Sequence, residues 1–453
     1  MSTTPANSDP FRPARRVAGQ RQDVWSLARE AATSSPLQPV VNMGQGFFGY
    51  NPPEFILDAA KSELDNVVSN QYAPTKVPVE PFLFGNPRLK KAIASAYSPY
   101  FKKEIDPENE VVITSGANEG STRAIQLNKR TGFIRALGML SAFVGFVEPG
   151  DEVIIFEPFF DQYISNIEMP GGTIRYVPLH PPKEGAIRKT RAAEWSIDFD
   201  ELERTFNEKT RMIVIRHNPV GKVLTREELE RIASLCIKYN TIIVSDEVYD
   251  RLYYVPFTRI ATLSPEIAER TLTVGSVGKN FYATGWRVGY LIGPEHLIKY
   301  VAAAHTRICY SSVAPLQAAA AIGFEKADEL GFWDQSRQEM RGKIDRFCQV
   351  FDELNIPYTD PDGGYFVLAN MASVKFPKDY PFPPHIASRP RDFKLFWFLA
   401  MEVGVGTIPP TEFYTDANAY IGEDWIRFSI CKPDQDLEEA KKRLRGLQKY
   451  MVR

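Results

Sequence analysis

Lys279 stands in GSVGKNFYATGWRVGY (residues 275–290), after an apolar run and between Gly278 and Asn280, with Ser276 three residues before it and Arg287 eight after. A primary amine in that setting, with a hydroxyl and a planar guanidinium close by, suits a covalent bond to a carbonyl compound that also carries a phosphate. A nucleotide phosphate loop of the form G-x-x-x-x-G-K-[ST] is the first competing reading, and it fails twice. It needs glycine where Thr273 stands and a hydroxyl where Asn280 stands. A solvated loop lysine is the second, and the residues upstream argue against it.

Those residues come at the ends of short apolar runs that alternate with helical patterns, the signature of parallel strands joined by crossover helices. The candidate strands are Val111–Ile113, Glu152–Phe156, Met212–Ile215, Thr241–Ser245 and Thr271–Gly275. Between the third and fourth lies LTREELERIASLCIKYN, where Thr225 and Glu228 form a capping box and Leu229, Ile232, Ala233 and Cys236 recur at helical spacing. Ligands in open parallel sheets bind beyond the carboxyl ends of the strands. The first run leads to Thr114, Ser115, Gly116, Ala117 and Asn118, where glycine permits close backbone approach and free amides can hold phosphate oxygens. The second leads to Phe159 and Phe160, the third to Arg216, His217 and Asn218, the fourth to Asp246 and Tyr249, and the last to Ser276 and Lys279.

Pyridoxal 5'-phosphate answers all of these groups. Its ring withdraws electrons only when the ring nitrogen is protonated, which needs an acidic partner. Asp246 is the candidate, although a helix cap would explain it as well. One unit charge at ~4 Å and an effective dielectric of ~20 contributes ~4 kcal/mol, or about three pK units. Asn218 and Tyr249 would hydrogen-bond the ring oxygen, with half-buried packing as the plain alternative for Tyr249. Phe160 would stack on the ring, or serve simply as core. Ser276, Arg287, Ala117 and Asn118 would hold the phosphate.

Composition narrows the alternatives. The chain has 453 residues, is 44% hydrophobic and carries a net charge of −2. It can bury a large core in about two domains, and its charge offers nothing to nucleic acid or to an anionic membrane. No stretch approaches the ~20 apolar residues of a membrane span. Cys236, Cys309, Cys348 and Cys431 lie far apart, which favours a reduced, cytoplasmic setting. Arg12, Arg15 and Arg16 near the start leave a mitochondrial presequence as the alternative. His180, His217, His296, His305 and His385 make no cluster at metal or triad spacing, so no metal is expected. No basic helix-turn-helix segment supports a regulator on this scaffold.

The segments NQYAPTK, TSGANEG, EVIIFEPFFDQY, HNPVGKVLTREEL, SDEVYDRLYY, GSVGKNFYATGWRVGY, HTRICYSSVAPLQ and IPPTEFY together resemble the fold-type I pyridoxal-phosphate aminotransferases. Within them the chain is most similar to the kynurenine aminotransferase subgroup, fungal members above all, which overlaps glutamine transaminase K and cysteine-S-conjugate β-lyase. The resemblance runs from about Gln22 to the C-terminus. It implies a large α/β domain over 52–325 with a mostly parallel seven-stranded sheet flanked by helices. A smaller α+β domain would combine an arm at 22–51 with residues 326–453, after a tail at 1–21. It implies a homodimer in which Tyr72 reaches the partner's phosphate, Arg427 binding the substrate α-carboxylate, Gly46, Trp25 and Asn218 on the substrate side, and Tyr310 in an aromatic lining. The reaction implied is transfer of an amino group from an aromatic amino acid, kynurenine foremost, to a 2-oxo acid, with kynurenic acid formed after cyclisation. The alternatives are β-elimination from cysteine conjugates, or a weakly active or inactive cofactor-binding homologue.

Three departures underlie the last alternative. Val77–Phe84 and Ser121–Gly138 are additions to the pattern, and the stretch before His217 is about two residues short. The additions read as exon-boundary errors or as lineage-specific loops. The second falls where the phosphate-holding helix is expected to begin.

Overall fold

The computed structural model describes residues 24–71, 85–117, 137–216 and 218–451. Tyr72, Asn118, His217 and most of both additions lie outside the described residues.

Each apolar run of the sequence is a strand. They are β1 (Val111–Thr114), β2 (Glu152–Glu157), β3 (Thr173–His180), β4 (Thr210–Ile215), β5 (Ile242–Asp246), β6 (Thr271–Ser276) and β7 (Gly289–Ile292). They lie side by side in the order β1-β7-β6-β5-β4-β2-β3, and a two-residue strand, Ser196–Ile197, extends the sheet beyond β3. Only β7 and that short edge strand run antiparallel to their neighbours. β3 alternates over its first half, with Thr173 and Arg175 exposed and Ile174 and Tyr176 half-buried, whereas β7 is a four-residue run buried throughout. The remaining strands point the same way, so their carboxyl ends share one edge. β2, β5 and β6 are buried along their whole length, which requires helices on both faces.

The helix Arg226–Lys238 begins as its capping box dictates: Thr225 Oγ1 accepts from the Glu228 amide at 3.2 Å, and Glu228 Oε2 accepts from the Thr225 amide at 2.9 Å. Its buried face is Leu229, Ile232, Ala233, Leu235 and Cys236. The helix Leu137–Phe146 starts directly at the end of β1, because the Gly138 amide bonds the Gly116 carbonyl at 3.2 Å. The chain that leaves at Ala117 therefore returns beside the same strand end.

Two smaller sheets join distant parts of the chain. Val41–Asn42 pairs with Val405–Gly406, and Trp425–Ser429, Phe366–Asn370, Tyr358–Asp360 and Thr190–Arg191 form a four-stranded sheet. The last of these comes from within the 52–325 stretch. Among the described residues no helix is long and apolar enough to cross a membrane, and no group of three metal-ligating side chains occurs.

Candidate active site

Lys279 lies in the single helical turn Val277–Asn280 that follows β6, and it is 7% exposed. The turn is held from behind. Asn280 Nδ2 donates to Asp250 Oδ1 at 3.3 Å, Asp250 Oδ2 accepts from Tyr97 Oη and Arg259 Nη2 at 2.8 Å each, and the Tyr97 hydroxyl meets that of Tyr290 at 2.5 Å. Gly275 is required here, because a Cβ would enter the ring of Tyr290 on the neighbouring strand. In front, Lys279 Nζ donates to the Gly46 carbonyl at 3.0 Å and the Tyr365 hydroxyl at 2.8 Å. Its amine lies 5.6 Å from the centre of the Tyr249 ring.

Asp246 closes β5, one strand over from β6, and is buried. Its carboxylate accepts the hydroxyl hydrogen of Tyr163. Burial first, and then the charge of Asp246, hold the Tyr163 phenol well above its ordinary value, so it stays a donor. Arg216 at the end of β4 lies 5.2 Å from the Tyr163 ring and 5.6 Å from that of Phe160. Two residues on, Asn218 Oδ1 is buried without a hydrogen-bond partner among the described residues.

Arg427, in Trp425–Ser429, is 4% exposed. It packs between Phe366 and Phe413, with its guanidinium carbon 4.3 and 5.0 Å from the ring centres. Nη2 donates to the Gly44 carbonyl at 3.1 Å, whereas Nε is buried with no partner among the described residues. Burial, with the like charge of Arg216 adding to it, pulls its pKa down to about 10. A guanidinium in that state gains from any carboxylate that reaches it. Gly46 lies alongside, where a Cβ would come within 2.6 Å of Phe366. Trp25 Nε1 donates to Asp161 Oδ2 at 3.3 Å, which ties the helix Val24–Ser34 to the loop after β2. The Asp161 carboxyl is raised by burial despite that bond.

On the other side of the Lys279 turn, Ser276 ends β6 and Arg287 adopts a left-handed conformation (φ +57°) from which Nη1 donates to the Thr284 carbonyl at 3.0 Å. Gly116 (φ +87°) leaves room for the Arg287 guanidinium, and Gly289 lets the Ala117 backbone approach. Hydroxyl, guanidinium and strand-end backbone thus meet as a cradle for an anion.

The sequence profile of aminotransferase class I and II matches residues 38–444. The chain belongs to the class I and II aminotransferases. It is 46% identical to Probable kynurenine–oxoglutarate transaminase BNA3 of Saccharomyces cerevisiae over 95% of this chain and 93% of that protein. It is 33% identical to kynurenine–oxoglutarate transaminase 3 of Homo sapiens, over 97% and 91% of the two chains. The crystal structure of Bna3p from Saccharomyces cerevisiae superposes with a TM-score of 0.89 at 44% identity, covering 98% of this chain and all of that one.

In this aminotransferase the fold brings Tyr249 and Gly46 to Lys279 and sets Arg427 and Gly46 against Phe366, while Asp246 meets Tyr163, Trp25 meets Asp161, and Arg287 and Ala117 lie close to Gly116 and Gly289. Tyr310 ends the helix Glu295–Cys309 with φ +64° and is 50% exposed. Sequence reasoning does not single out Tyr163, Asp161, Arg216 or Tyr365 as site residues, although the structure sets them against Asp246, Trp25, Phe160 and Lys279 respectively. Each stood inside a run already singled out or, for Tyr365, after the paired glycines 363 and 364, a signal that was there to be used.

Proposed function

We propose that this aminotransferase uses pyridoxal 5'-phosphate held at Lys279 to move an amino group from kynurenine, or a related aromatic amino acid, to a 2-oxo acid. A buried amine, a buried carboxylate and a buried guanidinium whose Nε has no partner among the described residues carry the reading. The donor set fits the cofactor. Asp246 would supply a carboxylate for the ring nitrogen, Asn218 and Tyr249 would hydrogen-bond the ring oxygen, Phe160 would stack on the ring, and Ser276, Arg287 and the Ala117 backbone would hold the phosphate. Asn118 and Tyr72 belong to the same proposal, the latter contributed across the subunit boundary of a homodimer in the cytoplasm.

When bound, the cofactor supplies an electron sink that makes the substrate Cα–H acidic. The protein's own residues do the rest. Arg427 takes the α-carboxylate in two parallel bonds and so fixes Cα. Lys279, steadied by Tyr365 and the Gly46 carbonyl, moves the proton at Cα, a role that depends on position more than on basicity. Phe366 and Phe413, packed on Arg427, offer an apolar wall to an aromatic side chain. The names of the relatives support transamination over β-elimination or loss of turnover. So does the helix that starts at the end of β1 in spite of the added residues. From kynurenine, the oxo acid formed cyclises to kynurenic acid.

The test is to purify the protein with its cofactor, reduce it with borohydride and map the modified residue. Label on Lys279 is expected, together with production of kynurenic acid from kynurenine and a 2-oxo acid. Label on another residue overturns the assignment.

A further inference from the structure

Arg216 is the group that the reaction leaves unused. Its Nε and Nη1 are buried without hydrogen-bond partners, and no carboxylate pairs with it among the described residues. Burying guanidinium N–H groups unmatched is costly unless an anion arrives to meet them. The phosphate is not that anion, because its donors, Ser276, Arg287 and the Gly116–Ala117 backbone, gather around the ends of β1, β6 and β7. Nor is Asp246, whose carboxylate is engaged by Tyr163. The α-carboxylate is taken up by Arg427.

Both arginines border the loop Phe159–Tyr163. Arg216 lies over Phe160 and Tyr163, while the Phe159 amide bonds the Phe413 carbonyl at 2.7 Å and Phe413 packs on Arg427. Their charges act on one another, which is part of what lowers Arg427. Two like charges held in one buried space, each with an unmatched N–H, form a receptor for two carboxylates of one molecule.

We propose that Arg216 binds the distal carboxylate of the substrate, making a dicarboxylic 2-oxo acid the preferred amino-group acceptor. This rests on the transaminase reading and assigns its acceptor specificity to one residue. In the opposite half-reaction the same guanidinium meets the face of an aromatic side chain, so one residue serves both substrates.

The test compares kcat/KM for 2-oxoglutarate with that for 2-oxovalerate, which has the same number of carbons and one carboxylate, in wild type, Arg216→Met and Arg216→Lys. Arg216→Met is expected to lower the dicarboxylate-to-monocarboxylate ratio by about 10- to 100-fold, the range for a charged hydrogen-bonded contact. A ratio within threefold of wild type overturns the proposal. A ratio compares two acceptors on one preparation, so partial misfolding cancels. Binding gives an independent reading: glutarate is expected to raise the melting temperature of the wild type more than butyrate does, and that difference to vanish in Arg216→Met. An undiminished difference overturns the proposal. Absence of borohydride label at Lys279 in the wild type overturns the transaminase reading instead, and the glutarate comparison still judges Arg216 by itself.

Discussion

The amine of Lys279 donates to the Tyr365 hydroxyl at 2.8 Å, and that hydroxyl donates to the Gly46 carbonyl at 2.8 Å, so the lysine, the four-stranded sheet and the N-terminal arm meet at one point. A group that must carry a proton to and from one carbon works through placement. Tyr365→Phe removes one hydrogen bond to the amine and little volume. We expect kcat to fall about tenfold, consistent with the ~1.5–3 kcal/mol of a charged hydrogen bond only partly realised, and KM to move less than threefold. A rise in KM with kcat intact would show that Tyr365 binds substrate instead.

Tyr163 and Asp246 form a graded pair. Asp246→Ala removes the buried carboxylate and leaves Tyr163 without its acceptor, so cofactor occupancy after dialysis is expected to drop at least tenfold. Tyr163→Phe keeps the carboxylate and loses only its orienting donor, for which a fall of about threefold is expected. Equilibrium dialysis with absorbance of the bound cofactor checks the order. If Tyr163→Phe released the cofactor as readily as Asp246→Ala, the carboxylate would not be the principal anchor.

On the proposed function, Arg427 would meet the α-carboxylate, a group common to amino donor and oxo acceptor. Arg427→Lys therefore lowers kcat/KM for both about equally, by roughly 100-fold, since a point charge cannot replace the paired geometry. The pH profile follows from the depressed pKa of about 10. Loss of its proton removes anion binding, so KM for both substrates rises as pH climbs through that value. Arg216→Met removes a repelling charge and is expected to shift this limb to higher pH. Steady-state KM between pH 8 and 11 checks both statements, and a limb that stays in place separates the two arginines electrostatically.

Asp392 makes part of the stability depend on pH, through the turn that carries Phe413. It is fully buried, and its carboxyl accepts from the Thr411 amide at 2.7 Å, the Thr411 hydroxyl at 2.8 Å and the Phe393 amide at 2.9 Å. Those bonds favour the charged form, but burial outweighs them and lifts the pKa from 3.8 to about 7. A folded-state value above the unfolded one means that the folded chain holds the proton longer. This contribution is complete below pH 4 and lost as pH rises through 7, in total about 4 kcal/mol. Asp392→Asn cannot ionise, so its melting temperature relative to wild type is expected to rise between pH 4 and 7. A constant difference across that range would remove Asp392 as the source.

The local chain determined much of this protein. Runs of Val, Ile and Leu mark five strands of the main sheet to within about two residues, the Thr225–Glu228 box marks a helix start, and the glycines around Lys279 mark the turn that carries it. These signals lie within a few residues of one another, where backbone preferences and burial patterns act directly. The tertiary structure decided what faces Lys279. Its partners Tyr365 and Gly46 stand 86 and 233 residues away in the chain, and no periodicity encodes such a contact. It also turned β7 against its neighbours, brought Val41–Asn42 to Val405–Gly406 and left Tyr310 half exposed. Above all it buried Nε and Nη1 of Arg216, whose charge acts on Arg427, without a counter-charge among the described residues, because the cost of an unmatched guanidinium exists only once the surrounding chain has excluded water.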